Sequence, residues 1–386
     1  MDISYIINEL GEEREKYFNA VAPPIIQTSN FVFNKVDDMR RLFEDEYTGY
    51  IYTRGLNPTV DILRKKLAAL DEAEDCLVFN SGSSAIYASV MANVKSGDHI
   101  VSVNKPYTWA QKLFNNILPN FGVTTTYVNG TAVENFEKAI QPNTTIIYLE
   151  TPNSWYLDLQ DLRAIAAIAK SKGILTICDN SYCSPLYQKP IAMGIDISLQ
   201  SATKYIGGHS DVVAGVLTGT TAMMKKIFET EFCTAGTGIS PFNAWLLIRG
   251  LRTLPVRLRQ ITENTNKVLE FLKQHPKVED IIFPFDKRFP QYELAKKQMD
   301  GACGLMSFHL KVKMIEDIVR FCETLEHILM AVSWGGYESL IIPGCASVKE
   351  KDYDITKKSH RMLRLYVGQE EPEYIINDLQ QALNII

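Results

Sequence analysis

The sequence predicts an α/β fold, a mostly parallel central sheet covered by helices, followed by a smaller α+β region. Three observations carry that expectation. Short apolar, β-rich runs recur between about residues 60 and 215, and stretches with helical apolar spacing lie between several of them. After about residue 240 the texture changes to one long helical pattern followed by mixed strands and helices. Buried runs alternating with amphipathic helices indicate parallel strands with both faces covered.

Taken in order, the strand-like runs are residues 76–79, 99–103, 124–128, 144–150, 174–179 and 197–200. The clearest intervening helix is 161–172, where Leu162, Ile165, Ala166, Ile168 and Ala169 form one apolar stripe. Residues 241–275 read as a long helix, with Pro255 expected to interrupt it. Strands at 304–310 and 363–367 and helices at 314–325 and 372–383 complete the chain. The domain division expected is an N-terminal extension at 1–57, a large domain at 58–245 and a C-terminal α+β domain at 246–386.

A chain of 386 residues can bury a substantial core. A formal charge of −5 argues against a general nucleic-acid binder, which shows a basic face. No apolar run approaches the roughly 18 residues of a membrane span, and the first residues are acidic and helix-like rather than a secretory signal. A cytoplasmic protein is expected. Seven scattered cysteines (Cys76, Cys178, Cys183, Cys233, Cys303, Cys322 and Cys345) form no CxxC pair and are expected to pack in the core. Six histidines form no HExxH pair, so no metal site is expected.

In such sheets ligands bind at the carboxyl ends of the strands. The run Asn80-Ser81-Gly82-Ser83-Ser84-Ala85 follows the first strand and enters a helix. Small residues let backbone N–H groups approach an anion there, although Ser and Asn are also ordinary helix caps. Asp179 ends a buried strand, where it needs a cationic or hydrogen-bonding partner, unless it simply caps a helix. Lys204 follows another strand end, flanked by Ser201 and Thr203 at alternating spacing. A desolvated lysine is a good amine nucleophile toward an aldehyde. A phosphate cradle, an acid for a pyridinium nitrogen and a Schiff-base lysine together meet the demands of pyridoxal phosphate.

The stretch SATKYIGGHSDVVAG at 201–215 then identifies a resemblance, supported by YTRGLNPT at 52–59, SWGGYESL at 333–340 and RLYVGQEEPE at 364–373. The chain resembles the Cys/Met-metabolism (trans-sulfuration) family of fold-type I pyridoxal-phosphate enzymes, which includes cystathionine γ-lyases, β-lyases and γ-synthases and methionine γ-lyases. The resemblance runs from about Tyr17 to the C-terminus. It implies that Lys204 holds the cofactor and then carries protons along the substrate, and that Asp179 pairs with the pyridine nitrogen. Gly82, Ser83, Ser201 and Thr203 would hold the phosphate. Tyr52 and Arg54 would reach the phosphate of a neighbouring subunit's cofactor, which makes a dimer with shared sites the minimum and a homotetramer the family norm. Tyr107 would stack on the ring and assist the leaving group. Arg364 would clamp the substrate carboxylate beside Ser333, and Glu338 would meet the far amino group of a cystathionine-like substrate. His209 is expected to pack or hydrogen-bond rather than catalyse.

The substrate side departs from the family. Ser154 stands where the family has an asparagine touching the cofactor's phenolic oxygen, with Asn153 or a water as the replacement expected, and Trp155 follows it. Thr108-Trp109-Ala110 replaces the usual residues after Tyr107, so the reactive cysteine typical of methionine γ-lyases is absent. The segment 344–347 is shorter than usual and lacks the Thr-His pair, and Gln200 replaces a common histidine or tyrosine. The function implied is a C–S lyase acting on cystathionine or a related sulfur amino acid by β- or γ-elimination. The alternative is a γ-replacement synthase joining activated homoserine to a thiol. An aminotransferase or a cofactor-binding protein without catalysis fits the motifs less well.

Overall fold

The computed structural model describes residues 1–302 and 304–386, so Cys303 lies outside the described residues. Seven strands form the larger sheet: β1 (Asp75–Phe79), β2 (His99–Val103), β3 (Thr124–Val128), β4 (Thr144–Glu150), β5 (Leu175–Asp179), β6 (Ile197–Ser201) and β7 (Gly215–Gly219). Their order is β1-β7-β6-β5-β4-β2-β3, and only β7 runs against the others. The six strands expected are all present. The antiparallel β7 is the addition, and it returns the chain from Lys204 to a place between β6 and β1.

Alternation along each strand sends side chains to opposite faces. Leu77 and Phe79 of β1 join one apolar cluster with helix Gly82–Met91, whereas Cys76 and Val78 join another. The expected helix is Leu162–Ser171, with Asp161 as its cap: the Asp161 carboxylate accepts from the Ala164 N–H at 3.1 Å. Its buried stripe of Leu162, Ile165, Ala166 and Ala169 covers Val101, Ile147 and Cys178. The sheet is therefore buried from both sides, as continuous apolar strands require.

Pro241–Gln274 is one helix, started by the Ser240 cap and Pro241 in its first turn. Pro255 lies inside it and does not end it, contrary to the sequence expectation. A proline frees a carbonyl about one turn back. One position before the freed Leu251 carbonyl, the Gly250 carbonyl accepts from Arg257 Nη2 at 2.8 Å and from Thr253 Oγ1 at 3.2 Å, so side chains brace the adjoining turn.

The second sheet contains β8 (Val278–Ile282), β9 (Leu305–Leu310), β10 (Leu329–Met330), β11 (Leu340–Pro343) and β12 (Met362–Tyr366), in the order β10-β11-β12-β9-β8. Helices Ile315–Thr324 and Pro372–Ile385 pack against it. One apolar cluster runs from Ile6 to Leu383 and links this sheet to the long helix and to one face of the larger sheet.

At the N-terminus, Glu12 and Lys66 form a fully buried pair at 3.0 Å, and Arg252 reaches Glu12 at 3.0 Å. Lys66 Nζ also donates to the Ile6 and Ile7 carbonyls at 3.1 and 2.9 Å. A buried pair of this kind holds only when its remaining donors are satisfied, as here. Between this anchor and helix Pro58–Leu70 the chain is largely exposed, with Phe18 at 100 % and Val32 at 93 % exposure.

Candidate active site

Three neighbouring strands end in polar residues at one edge of the larger sheet. Glu150 closes β4, Asp179 closes β5 directly opposite it, and Ser201 closes β6. The Ser181 hydroxyl ties the last two together, donating to Asp179 Oδ1 at 2.6 Å and accepting from the Ser201 N–H at 2.7 Å. The Ser181 N–H also donates to Asp179 Oδ1, at 2.9 Å. Burial raises the Asp179 carboxyl above the usual range, and the Ser181 bonds oppose that shift.

The small-residue loop after β1 reaches the same place. Its Ser81 caps helix Gly82–Met91 and accepts from the Ser84 N–H at 3.1 Å. Gly82 packs so near Ser201 that a β-carbon there would lie 3.3 Å from the Ser201 Oγ. Gly215, at the start of β7, admits this approach, because a β-carbon on it would meet the Ser81 carbonyl at 2.2 Å. Thr203 lies in the turn beyond Ser201, where strand alternation has ended. Its hydroxyl accepts from the Ala214 N–H at 3.0 Å and donates to the Ala214 carbonyl at 3.2 Å.

Lys204 follows in this turn. Its Nζ donates to Ser333 Oγ at 2.6 Å and lies 5.5 Å from the Trp334 ring centroid. Burial, and secondly the positive Arg364, lower the amine to about 8, against the pull of Asp179. The segment 333–338 presses on the lysine turn. Ser333 has φ +83°, unusual for a residue with a side chain. A β-carbon on Gly335 would come within 2.9 Å of the Lys204 Cα. Trp334 packs edge-on against Tyr205 at 5.3 Å, and the Tyr366 hydroxyl donates to the Gly336 carbonyl at 2.7 Å. Ser210 donates to Glu338 Oε1 at 2.5 Å, so Glu338 bridges the two loops, and its Oε2 is buried without a hydrogen bond.

Arg364 projects from β12 into this group. Its Nη1 donates to the Ser154 carbonyl at 3.2 Å and its Nη2 to the Ser333 carbonyl at 3.5 Å. Its guanidinium carbon lies 5.0 Å from the Trp155 ring centroid. Burial lowers its pKa to about 10, with Glu150 opposing. No carboxylate pairs with it among the described residues, so it is a buried cation in need of an anion.

Glu150 joins the two halves. Its Oε2 accepts from the Tyr107 N–H at 2.5 Å and its Oε1 from the Ser154 N–H at 3.1 Å. Burial, and then the adjacent Asp179, push its carboxyl up to about 8. The Tyr107 phenol reaches the Ser83 side chain, and burial raises its pKa. Asn153 is held by its Oδ1, which accepts from the N–H groups of Trp155, Tyr156 and Leu157 at 3.2, 2.9 and 3.0 Å, while its Nδ2 reaches Asp158 Oδ2 at 3.5 Å. His209 bonds the Gly207 carbonyl at 2.7 Å.

The structure thus gathers Lys204, Asp179, Gly82, Ser83, Ser201, Tyr107, Ser154, Ser333 and Arg364 at one sheet edge. Tyr52 and Arg54 belong to a different group, an open groove of about 440 Å³ bordered by residues 27–29 and 236–241. The Arg54 guanidinium lies 5.6 Å from the Tyr52 ring centroid. Sequence reasoning assigned no role to Glu150 or Ser181 and did not single out Trp334. Glu150 carried the same signal as Asp179, a carboxylate ending a buried strand.

These residues fit pyridoxal phosphate. The lysine amine is desolvated, Asp179 keeps Oδ2 free of Ser181, and a helix N-terminus of small residues stands beside Ser201. The model of the Cys/Met metabolism PLP-dependent enzyme family matches residues 5–384. The L-methionine gamma-lyase of Treponema denticola is 39% identical, with 97% of this chain and 94% of that protein covered. The cystathionine gamma-lyase of Bacillus subtilis is 37% identical, with 97% of each chain covered. The crystal structure of metB from Corynebacterium glutamicum superposes with a TM-score of 0.91 at 32% identity, covering 100% of this chain and 98% of that one. The architecture is therefore fold type I, pyridoxal phosphate is the cofactor, and the chain belongs to the Cys/Met metabolism PLP-dependent enzyme family.

Proposed function

We propose that the protein is a carbon–sulfur lyase that cleaves a sulfur amino acid by γ-elimination. The observation that carries this reading is the placement of Lys204 between Asp179 and Ser333, with the unpaired Arg364 cation beside it. The relatives are named for γ-lyase activities, which favours elimination over the synthase alternative.

The bound cofactor supplies an electron sink for the bond broken at the substrate Cα. Arg364 takes the α-carboxylate with its planar fork. Lys204 removes the Cα proton and then one from Cβ, the second transfer being what separates γ- from β-elimination. Tyr107 gives a proton to the departing sulfur. Asp179 would hold the proton of the ring nitrogen, and Gly82, Ser83, Ser201 and Thr203 would hold the phosphate. Ser154 would stand on the side of the cofactor's phenolic oxygen, Ser333 would assist at the carboxylate, and Glu338 would meet the far end of the substrate. The test is product analysis with methionine and with cystathionine. The expected products are 2-oxobutyrate and a thiol; pyruvate would move the cleavage to Cβ. A thioether from an O-acyl-homoserine plus cysteine, with no keto acid, would replace the lyase reading by the synthase.

We also propose a homo-oligomer of at least two subunits, tetrameric as is usual in the family, acting in the cytoplasm. The exposed side chains Phe18, Val32, Val36 and Phe43 support a covering copy. Tyr52 and Arg54, set apart from Lys204, support sites completed by a neighbour's residues. Mixing Arg54→Ala with Lys204→Ala subunits is expected to restore part of the activity that each lacks alone; no recovery after subunit exchange would mean that each chain builds its own site. No helix of the described residues is long and apolar enough to cross a membrane, and all six described cysteines are free, as suits a reducing compartment.

A further inference from the structure

We propose that Trp155 is a positioning residue for Arg364, fixing the plane of its guanidinium and making the substrate carboxylate a requirement for tight binding. The inference rests on the reading of Arg364 as the carboxylate clamp. Two adjacent residues contact the guanidinium in different ways. The Ser154 carbonyl takes an edge N–H at 3.2 Å, and the Trp155 ring stands 5.0 Å from the guanidinium carbon. A cation over an indole is the strongest of the ring–cation pairs, and it gains further when water is excluded.

The tryptophan is itself held in place. Its N–H donates to Asn153 Oδ1 at 3.2 Å, and its carbonyl accepts from the Ser307 hydroxyl at 2.7 Å. Ser307 is the cross-strand partner of Arg364 in the pairing of β9 with β12. The backbone of Trp155 is therefore anchored to the position opposite the arginine that its ring supports. Arg364 makes no ion pair among the described residues, and its other two contacts are carbonyls, one of them at 3.5 Å. The indole face is what remains to orient the fork before an anion arrives. A planar fork binds a carboxylate through two parallel bonds only when its plane is set.

The test compares glycine with methylamine, which lacks only the carboxylate, by titrating the holoenzyme and following the absorbance of its bound cofactor. Trp155→Leu, which keeps apolar bulk without a π face, is expected to weaken glycine on the order of tenfold and methylamine by less than about twofold. Trp155→Phe is expected to keep glycine within about threefold of the wild type, because an aromatic face remains. Equal weakening of both ligands by Trp155→Leu would reduce the residue to general packing and overturn the proposal, as would no weakening of either. Arg364→Ala separates this failure from failure of the clamp. If Arg364→Ala weakens glycine and methylamine equally, or neither, the arginine does not read the carboxylate and the proposal falls with it. If Arg364→Ala weakens glycine selectively and Trp155→Leu does not, only the positioning role is lost.

Discussion

Replacing Lys204 with alanine is expected to lower turnover by about a thousandfold or more, the range in which general acid–base catalysis by one positioned group operates. The variant should still take up the cofactor, since Asp179 and the small-residue loop remain, but borohydride should no longer fix it to the chain. Absorbance near 420 nm that resists dialysis in the wild type and is lost from the variant gives the check. Turnover within about tenfold of wild type would remove Lys204 from the proton path.

A pH dependence belongs to the same residue. Its amine lies at about 8 in the folded protein, below the ordinary 10.5, because burial and Arg364 disfavour the charge. Below about 8 both folded and unfolded chains carry the proton, and the cost of burying it is fully present. Between about 8 and 10.5 only the unfolded chain keeps it, so this group makes the cofactor-free protein more stable as pH rises. Uptake of the cofactor aldehyde should accelerate through the same lower limit as free amine appears. Lys204→Met should flatten both curves; unchanged curves would assign them to another group.

Replacing Asp179 with asparagine is expected to reduce turnover about 10²- to 10³-fold, the usual effect of losing one preorganised electrostatic partner in a closed site. The carboxylate is 7 % exposed and already raised by burial, so without a cation it is costly to ionise. A protonated ring nitrogen would remove that cost, and the carboxylate would in turn keep the nitrogen protonated. Asparagine preserves the Ser181 contacts in shape but cannot balance the charge. Asp179→Asn should therefore bind the cofactor with an altered absorbance band and react slowly. A variant with wild-type spectrum and rate would show that the ring nitrogen needs no anionic partner here.

The strands legible in the sequence are those with an unbroken β-rich run, whether buried on both faces or, like β3, partly exposed. β2, with all five residues buried, reads as an unbroken apolar run. β7 was not legible because Gly215–Gly219 is short and bounded by glycines, which read as turn signals. β8 carries Glu279 and Asp280 on an exposed side, and β11 ends at Pro343, so neither has an apolar run long enough to stand out. Lys204 and Asp179 were visible because a charged residue at the end of a buried strand demands a reason. The role of Glu150 was hidden because its partners are backbone N–H groups 43 and 4 positions away, which no side-chain pattern announces. The Trp155–Arg364 contact was hidden for a similar reason, since it joins a loop of one sheet to a strand of the other. Pro255 was misjudged because the side chains that brace the turn before it, Thr253 and Arg257, are recognisable only once the helix exists.

The exposed N-terminal region is pinned at its base from several sides. Glu12 is held by Lys66, the Pro24 carbonyl and the Ile26 N–H both bond Thr59 at 2.9 Å, and Asn30 bridges Tyr52. Lys66 and Thr59 belong to the same helix, so the intervening chain is a closed loop rather than a dangling end. The entropy of joining its ends is met when the subunit folds, and the second copy proposed above would gain the arm without that cost. Closure depends on length only logarithmically, with each doubling costing about 0.6 kcal/mol. The arm between residues 32 and 44 can thus lengthen, shorten or change sequence at little cost to the subunit's stability, so that the contact proposed between copies would be free to diverge independently of the catalytic fold.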